Sequence, residues 1–266
     1  MNLAICNPYG TQPSEVGPLI AALRMAQEYG HSVSALGCDG CITHCDRNVN
    51  PAEGLKRRIH ECFGCRKDQS RIFDALGVSA RPLSNYLDGS ILSETFTEVM
   101  SCRAKDLSAL SYRGEALSWL ARNSLKSRFG SVEAAFDNSE IFPDLRGLLL
   151  SVARIVAGGI NFFEQESPDR VLIVGRDVIA ESIAFAAQCA NIPSARFVQN
   201  TNTDELQIFD SVKNEVFGHK IEGLASFRVA TPVPEWDTTL FDSVREILLF
   251  LNVPVVQMNL FAANQA

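Results

Sequence analysis

Val171-Leu172-Ile173-Val174-Gly175-Arg176-Asp177 is the stretch on which the fold turns. Four apolar residues in a row, without polar alternation, read as a strand covered on both faces, and such strands belong to parallel sheets. Gly175-Arg176-Asp177 then turns the chain into a helix through Ala187. Asn191-Ile192-Pro193 breaks that helix before a second strand, Ala195-Arg196-Phe197-Val198-Gln199.

The amino terminus has the same grammar. Leu3 to Cys6 is a short apolar strand, and Asn7-Pro8-Tyr9-Gly10-Thr11-Gln12-Pro13 is a turn-rich loop. A helix follows from Val16 to Tyr29, with Leu19, Leu23 and Ala26 on one face and Gly30 suited to the left-handed position at its end. Ser32 to Leu36 is the next strand, completing a β-α-β unit. Its first loop lies at the carboxyl edge, where parallel sheets bind ligands. That loop has neither a dinucleotide fingerprint nor a phosphate-loop lysine. The expected fold is therefore α/β: a doubly wound, mostly parallel, Rossmann-like sheet with a cysteine metal loop and a helical insertion.

Cys38-Asp39-Gly40-Cys41-Ile42-Thr43-His44-Cys45 follows the second strand directly, and Cys62-Phe63-Gly64-Cys65 comes after a basic insert. Two Cys-x2-Cys units at this separation match a structural metal site, because thiolates three positions apart can turn toward one ion. Cys38, Cys41, Cys62 and Cys65 are the expected ligands, with Cys45, His44 and His60 as substitutes. Zinc suits four soft sulfurs best, and an iron or iron-sulfur centre uses the same donors. Reduced buried thiols and a disulfide are the competing readings.

The 266 residues, 46 % of them hydrophobic, suffice for a large core without a metal. A net charge of −7 argues against a general nucleic-acid surface. No charged leader opens the chain and no run of about 18 apolar residues interrupts it, so no membrane span and a cytoplasmic location are expected.

Residues 1–200 form the expected Rossmann-like domain, holding cysteine loop 38–65 and helical region 85–160. Residues 201–266 form an α/β extension on the same sheet. In the helical region, Trp119 reads as core or interface, and Arg103, Lys105, Arg113, Arg122, Lys126 and Arg128 as a solvated face. Pro143 starts a helix that Gly158-Gly159 ends, and Thr203 to Phe217 reads as a further helix. Leu240, Val244, Ile247, Leu248 and Leu251 make a helical stripe before a strand at Val255–Met258. His219, Glu235 and Asp237 read as solvent-facing.

Asn7-Pro8, Gly30-His31-Ser32-Val33, Cys38-Asp39-Gly40 with Cys45, Cys62-x2-Cys65, Val174-Gly175-Arg176 and Ile192-Pro193 together resemble the amino-terminal lobe of bacterial surface and capsular polysaccharide glycosyltransferases. The resemblance covers about residues 1 to 200. It implies an acceptor-side lobe in sugar transfer from a nucleotide sugar; placement on the carboxyl edge then makes Asp39 the candidate general base, with Gly10 and Thr11 facing the acceptor and Arg176 on donor phosphate. Some 65 residues beyond that lobe are too few for a second doubly wound lobe, so the expectation is a fragment, an enzyme whose partner protein supplies the second lobe, or a first-lobe-like binding protein. Two other readings stay open: a non-catalytic, metal-stabilised sensor, assembly or interaction protein, and a thiol or iron-sulfur redox protein.

Overall fold

The computed structural model describes residues 1–7, 16–46, 54–175, 177–200, 205–210, 216–217, 244–245 and 247–251. Strand β1 (Asn2–Cys6), helix α1 (Gly17–Glu28) and strand β2 (Ser32–Gly37) form the first β-α-β unit. Helix α2 (Gly54–Leu76) and strand β3 (Ala80–Pro82) extend it. After helix α3 (Gly89–Ser101), the short hairpin β4 (Ser111–Tyr112) and β5 (Glu115–Ala116) turns at Arg113 and Gly114, both in the left-handed region. Helices α4 (Leu117–Leu120), α5 (Arg122–Phe129) and α6 (Val132–Asp137) lead to the 25-residue α7 (Phe142–Glu166). Strand β6 (Arg170–Val174), helix α8 (Val178–Cys189) and strand β7 (Ser194–Asn200) make the second unit, followed by β8 (Glu205–Asp210) and β9 (Val216–Phe217).

The main sheet has the order β3-β2-β1-β6-β7-β8-β9. Its first five strands are parallel; β8 and β9 add antiparallel pairings. Alternate side chains of β1 serve opposite faces: Leu3 and Ile5 share a cluster with α1, α2, Val244, Ile247, Leu248 and Leu251, while Ala4 and Cys6 share one with α7 and α8. Helices thus cover both faces of a mostly parallel sheet, as the unbroken apolar strands required.

Three elements differ from the sequence reading. Gly158-Gly159 does not end α7. Side chains there would crowd their neighbours, since a Cβ on Gly158 would lie 2.8 Å from Leu83 and one on Gly159 2.8 Å from Ala186. Close packing outweighs a propensity cost of about 1 kcal/mol per glycine. Residues 205–210 and 216–217 are strands rather than helix, because β7 offers an open ladder with which Leu206–Asp210 pairs from Gln199 to Ala195. Cys62 and Cys65, expected in a loop, lie within α2. The segment 139–166 is long and apolar enough to cross a bilayer, and two thirds of its apolar window is buried inside the protein. The expected strand at 255–258, as well as His219, Glu235 and Asp237, lie outside the described residues.

Candidate functional site at the carboxyl edge

Strand order reverses between β1 and β6, the switch point at which doubly wound sheets form their ligand crevice. Asn7 leaves β1 with φ 56°, a left-handed conformation that Asn tolerates better than most residues. Only 2 % of it is exposed. Its Nδ2 donates to the Val174 carbonyl (3.1 Å) and to Asp177 Oδ1 (2.9 Å), tying the ends of β1 and β6 together. Gly175, at φ 108°, lets the chain turn immediately beside that amide.

Two carboxylates occupy the amino terminus of α8. Asp177 is its cap, accepting from Ala180 N–H (2.8 Å). Asp46, arriving from the loop after β2, accepts from Val178 N–H (2.9 Å) and lies 3.8 Å from Arg128. Burial pushes the Asp177 carboxyl up to about 7, and the neighbouring Asp46 adds to the rise; hydrogen bonds from Ala180, Asn7 and Ile179 oppose it without overcoming it. The helix end that would attract an anion is already filled with protein carboxylate.

Beside this crevice, β2 ends at Gly37 and the Cys38 turn begins. With its amide oriented to satisfy both atoms, buried Gln69 of α2 donates to the Cys38 carbonyl (3.2 Å) and accepts from Cys38 N–H (3.1 Å). Gly37 makes this clamp feasible, since a Cβ would lie 2.9 Å from Gln69 Oε1. Cys38 Sγ accepts from Gly40 N–H (3.4 Å). A hydrogen bond from the Cys41 thiol lowers Cys38 to about 7, and the same pairing pushes Cys41 up. Asp39 accepts from the Ser84 hydroxyl. Burial would raise its pKa, but hydrogen bonds from Ser84 and Cys41 hold it below the usual carboxylate value.

The rest of the turn packs on α7. His44 occupies space that a side chain on Gly147 would claim, with Nε2 3.7 Å from Asp144 and its backbone N–H donating to Ser151 (3.3 Å). Cys45 is buried, and Arg128 donates to its carbonyl. Cys38, Cys41 and Cys65 pack against the same apolar cluster. None of the eight cysteines is disulfide-bonded. Among the described residues, no three His, Cys, Asp or Glu side chains are gathered as a metal site.

One turn beyond Asp177, Glu181 is 8 % exposed and joins α8, α5 and β7. It pairs with Arg196 (2.7 Å) and Arg122 (3.2 Å) and accepts from Asn123 (3.1 Å). Arg122 and Arg128 are therefore structural cations rather than part of a solvated face. Trp119, expected in the core or an interface, is 55 % exposed and stacks on the Arg122 guanidinium at 4.0 Å.

Gly10, Thr11 and Arg176 lie outside the described residues, as does the side chain of His60. Asn7, Asp46, Asp177 and Gln69 were not singled out as site residues from the sequence. Asp177 carried a usable signal, an acidic residue just before an apolar helical run after a strand. Asp46 and Gln69 carried none, because their roles depend on contacts with residues 132 and 31 positions away.

No protein-family model and no curated protein matches the chain. It aligns with the crystal structure of an uncharacterized protein from Alicyclobacillus acidocaldarius over 94 % of both chains, at 12 % identity and a TM-score of 0.27. A likeness that low supports no statement about fold or function.

Proposed function

We propose that the chain is the acceptor-side lobe of a sugar-transferring enzyme of surface-polysaccharide assembly, with a partner protein holding the nucleotide sugar. The observation that carries this reading is the pair of carboxylates, Asp46 and Asp177, at the amino terminus of α8 in the switch-point crevice. A phosphate would meet like charge there, whereas the hydroxyls of a neutral sugar would find acceptors. Asp177 is the proposed general base, since a carboxylate titrating near 7 combines useful ionisation with useful proton affinity at neutral pH. The acceptor hydroxyl gives its proton to Asp177, its oxygen bonds to the anomeric carbon, and the sugar–phosphate bond breaks as the nucleotide leaves. Asp39, the expected base, has a lowered proton affinity that suits holding a hydroxyl in place. Gly10, Thr11 and Arg176, neighbours in sequence of Asn7 and Asp177, are proposed to complete the contacts.

Titrating the chain with oligosaccharides and, separately, with nucleotide sugars tests the reading. Saccharide binding that weakens in Asp177→Asn is expected. Nucleotide-sugar binding at the crevice without saccharide binding would refute it.

A second reading has its own support in the Cys38–Cys41 pair, whose hydrogen bond favours a thiolate at Cys38. Such a pair suits either dithiol redox chemistry or two ligands of a zinc ion. Cys62 and Cys65 lie on the same face of α2 as Gln69, at spacings of seven and four residues, so they head the column that reaches Cys38. We propose them as the remaining ligands. Elemental analysis giving about one zinc per chain, lost on substituting any of the four, supports the metal site. Metal-free protein with a reversible Cys38–Cys41 disulfide would favour redox chemistry, and iron would keep the ligands while changing the role.

A further inference from the structure

Helix α2 and the neighbouring strands β2 and β3 border a cavity of about 340 Å³ beside the Cys38–Asp39 turn. That volume lies at the low end of small-molecule sites and suits one compact ring. Its polar groups are unequally engaged. Gln69 clamps the Cys38 backbone, Ser70 donates to Asp74 (3.3 Å), and Ser84 donates to Asp39. Arg66 faces the cavity with no ion pair or hydrogen bond among the described residues, whereas Arg71, on the same helix, is paired with Asp68 (3.4 Å).

Arg66, Ser70 and Asp74 stand at i, i+4 and i+8, one column of α2 that rises about 12 Å from cation to carboxylate. The lining is thus polarised along α2, with Arg66 toward the Cys38 turn and Asp74 toward the far end, and Phe73 and Val78 add apolar surface near Asp74. An occupant that matches this order has an acid group at one end and hydrogen-bond donors on an apolar ring at the other. Dianionic phosphate fits less well, because Asp39 and Asp74 share the lining.

We propose that this cavity binds a carboxylate-bearing sugar residue of the uronic-acid type, with its carboxylate on the Arg66 guanidinium and its hydroxyls on Ser70 and Asp74. The inference rests on the acceptor reading and adds the class of acceptor, an acidic polysaccharide. Planar guanidinium–carboxylate pairing gives both attraction and orientation.

The test is ligand-observed saturation-transfer NMR on the full chain with glucuronate, glucose, glucosamine and inorganic phosphate. Glucuronate is expected to bind at least about tenfold more tightly than glucose, the order of one charge-assisted hydrogen bond. Arg66→Gln should erase that preference while leaving glucose binding and the thermal midpoint unchanged. Asp74→Asn should weaken both sugars. Stronger binding of glucosamine or phosphate, a preference that survives Arg66→Gln, or no binding of any probe overturns the proposal. The two readings separate cleanly. Oligosaccharide binding that needs Asp177 but ignores acidity removes the uronic-acid inference alone, whereas glucuronate binding that needs Arg66, together with oligosaccharide binding indifferent to Asp177→Asn, supports the cavity and removes the crevice as the acceptor site.

Discussion

Asp177→Asn should stabilise the protein at neutral and alkaline pH. The carboxyl is held at about 7 in the folded chain against an ordinary value of 3.8. At about 1.4 kcal/mol per pH unit, that difference corresponds to roughly 4 kcal/mol. Below pH ~4 both folded and unfolded chains keep the proton, and no penalty arises. Between pH ~4 and ~7 the unfolded chain ionises while the folded chain does not, so the wild type loses stability as pH rises; above ~7 the loss is complete. Asparagine is a good helix cap, and its side-chain oxygen can keep the bonds from Ala180 and Asn7. Urea denaturation of wild type and variant at half-unit steps from pH 4 to 8 reads the difference directly. It should grow across that interval and level off near pH 7. A difference independent of pH would refute the assignment of a raised carboxyl, and a variant less stable at every pH would show that the cap geometry requires the acid.

Three further outcomes are expected. Glu181→Ala should cost about 3–5 kcal/mol in urea denaturation, since it leaves Arg122 and Arg196 without their shared partner in a mostly buried position. Gly147→Ala should displace the His44 ring, cost about 1–3 kcal/mol and speed proteolysis within residues 38–46; unchanged protease resistance would count against the packing. Cys41→Ala removes the hydrogen bond that lowers Cys38, so the alkylation rate of Cys38 should reach its half-maximum near pH ~8.5 instead of about 7.

The doubly wound architecture was legible because its strands are apolar without alternation and its helices are bounded by Gly30, Gly77 and Pro193, signals local to a few residues. The errors arose where neighbours distant in sequence decide. Gly158 and Gly159 end a helix by local preference, but Leu83, Ile183 and Ala186 give them reasons to stay inside it. Residues 205–210 became a strand through the open side of β7. For the candidate site, the sequence placed Cys38 and Asp39 directly after the second strand, and β2 does end at Gly37. It gave no sign of how Asp46 folds back to the α8 terminus or how Gln69 grips Cys38, since both contacts are products of tertiary packing.

The pairing of β1 with β6 bears on how the chain is made. Leu3 to Cys6 match Arg170 to Ile173, so the central seam of the sheet joins β1 to a strand that follows some 165 residues later. At about 5–20 residues per second, β1 waits roughly 8–30 s for that neighbour to be translated. During this interval its β6-facing side presents unpaired backbone and a fully apolar sequence, the combination that recruits other chains. A ribosome stalled within α7 would therefore display an unfinished sheet open at its middle, and protection of nascent β1 matters most just before Val171 emerges.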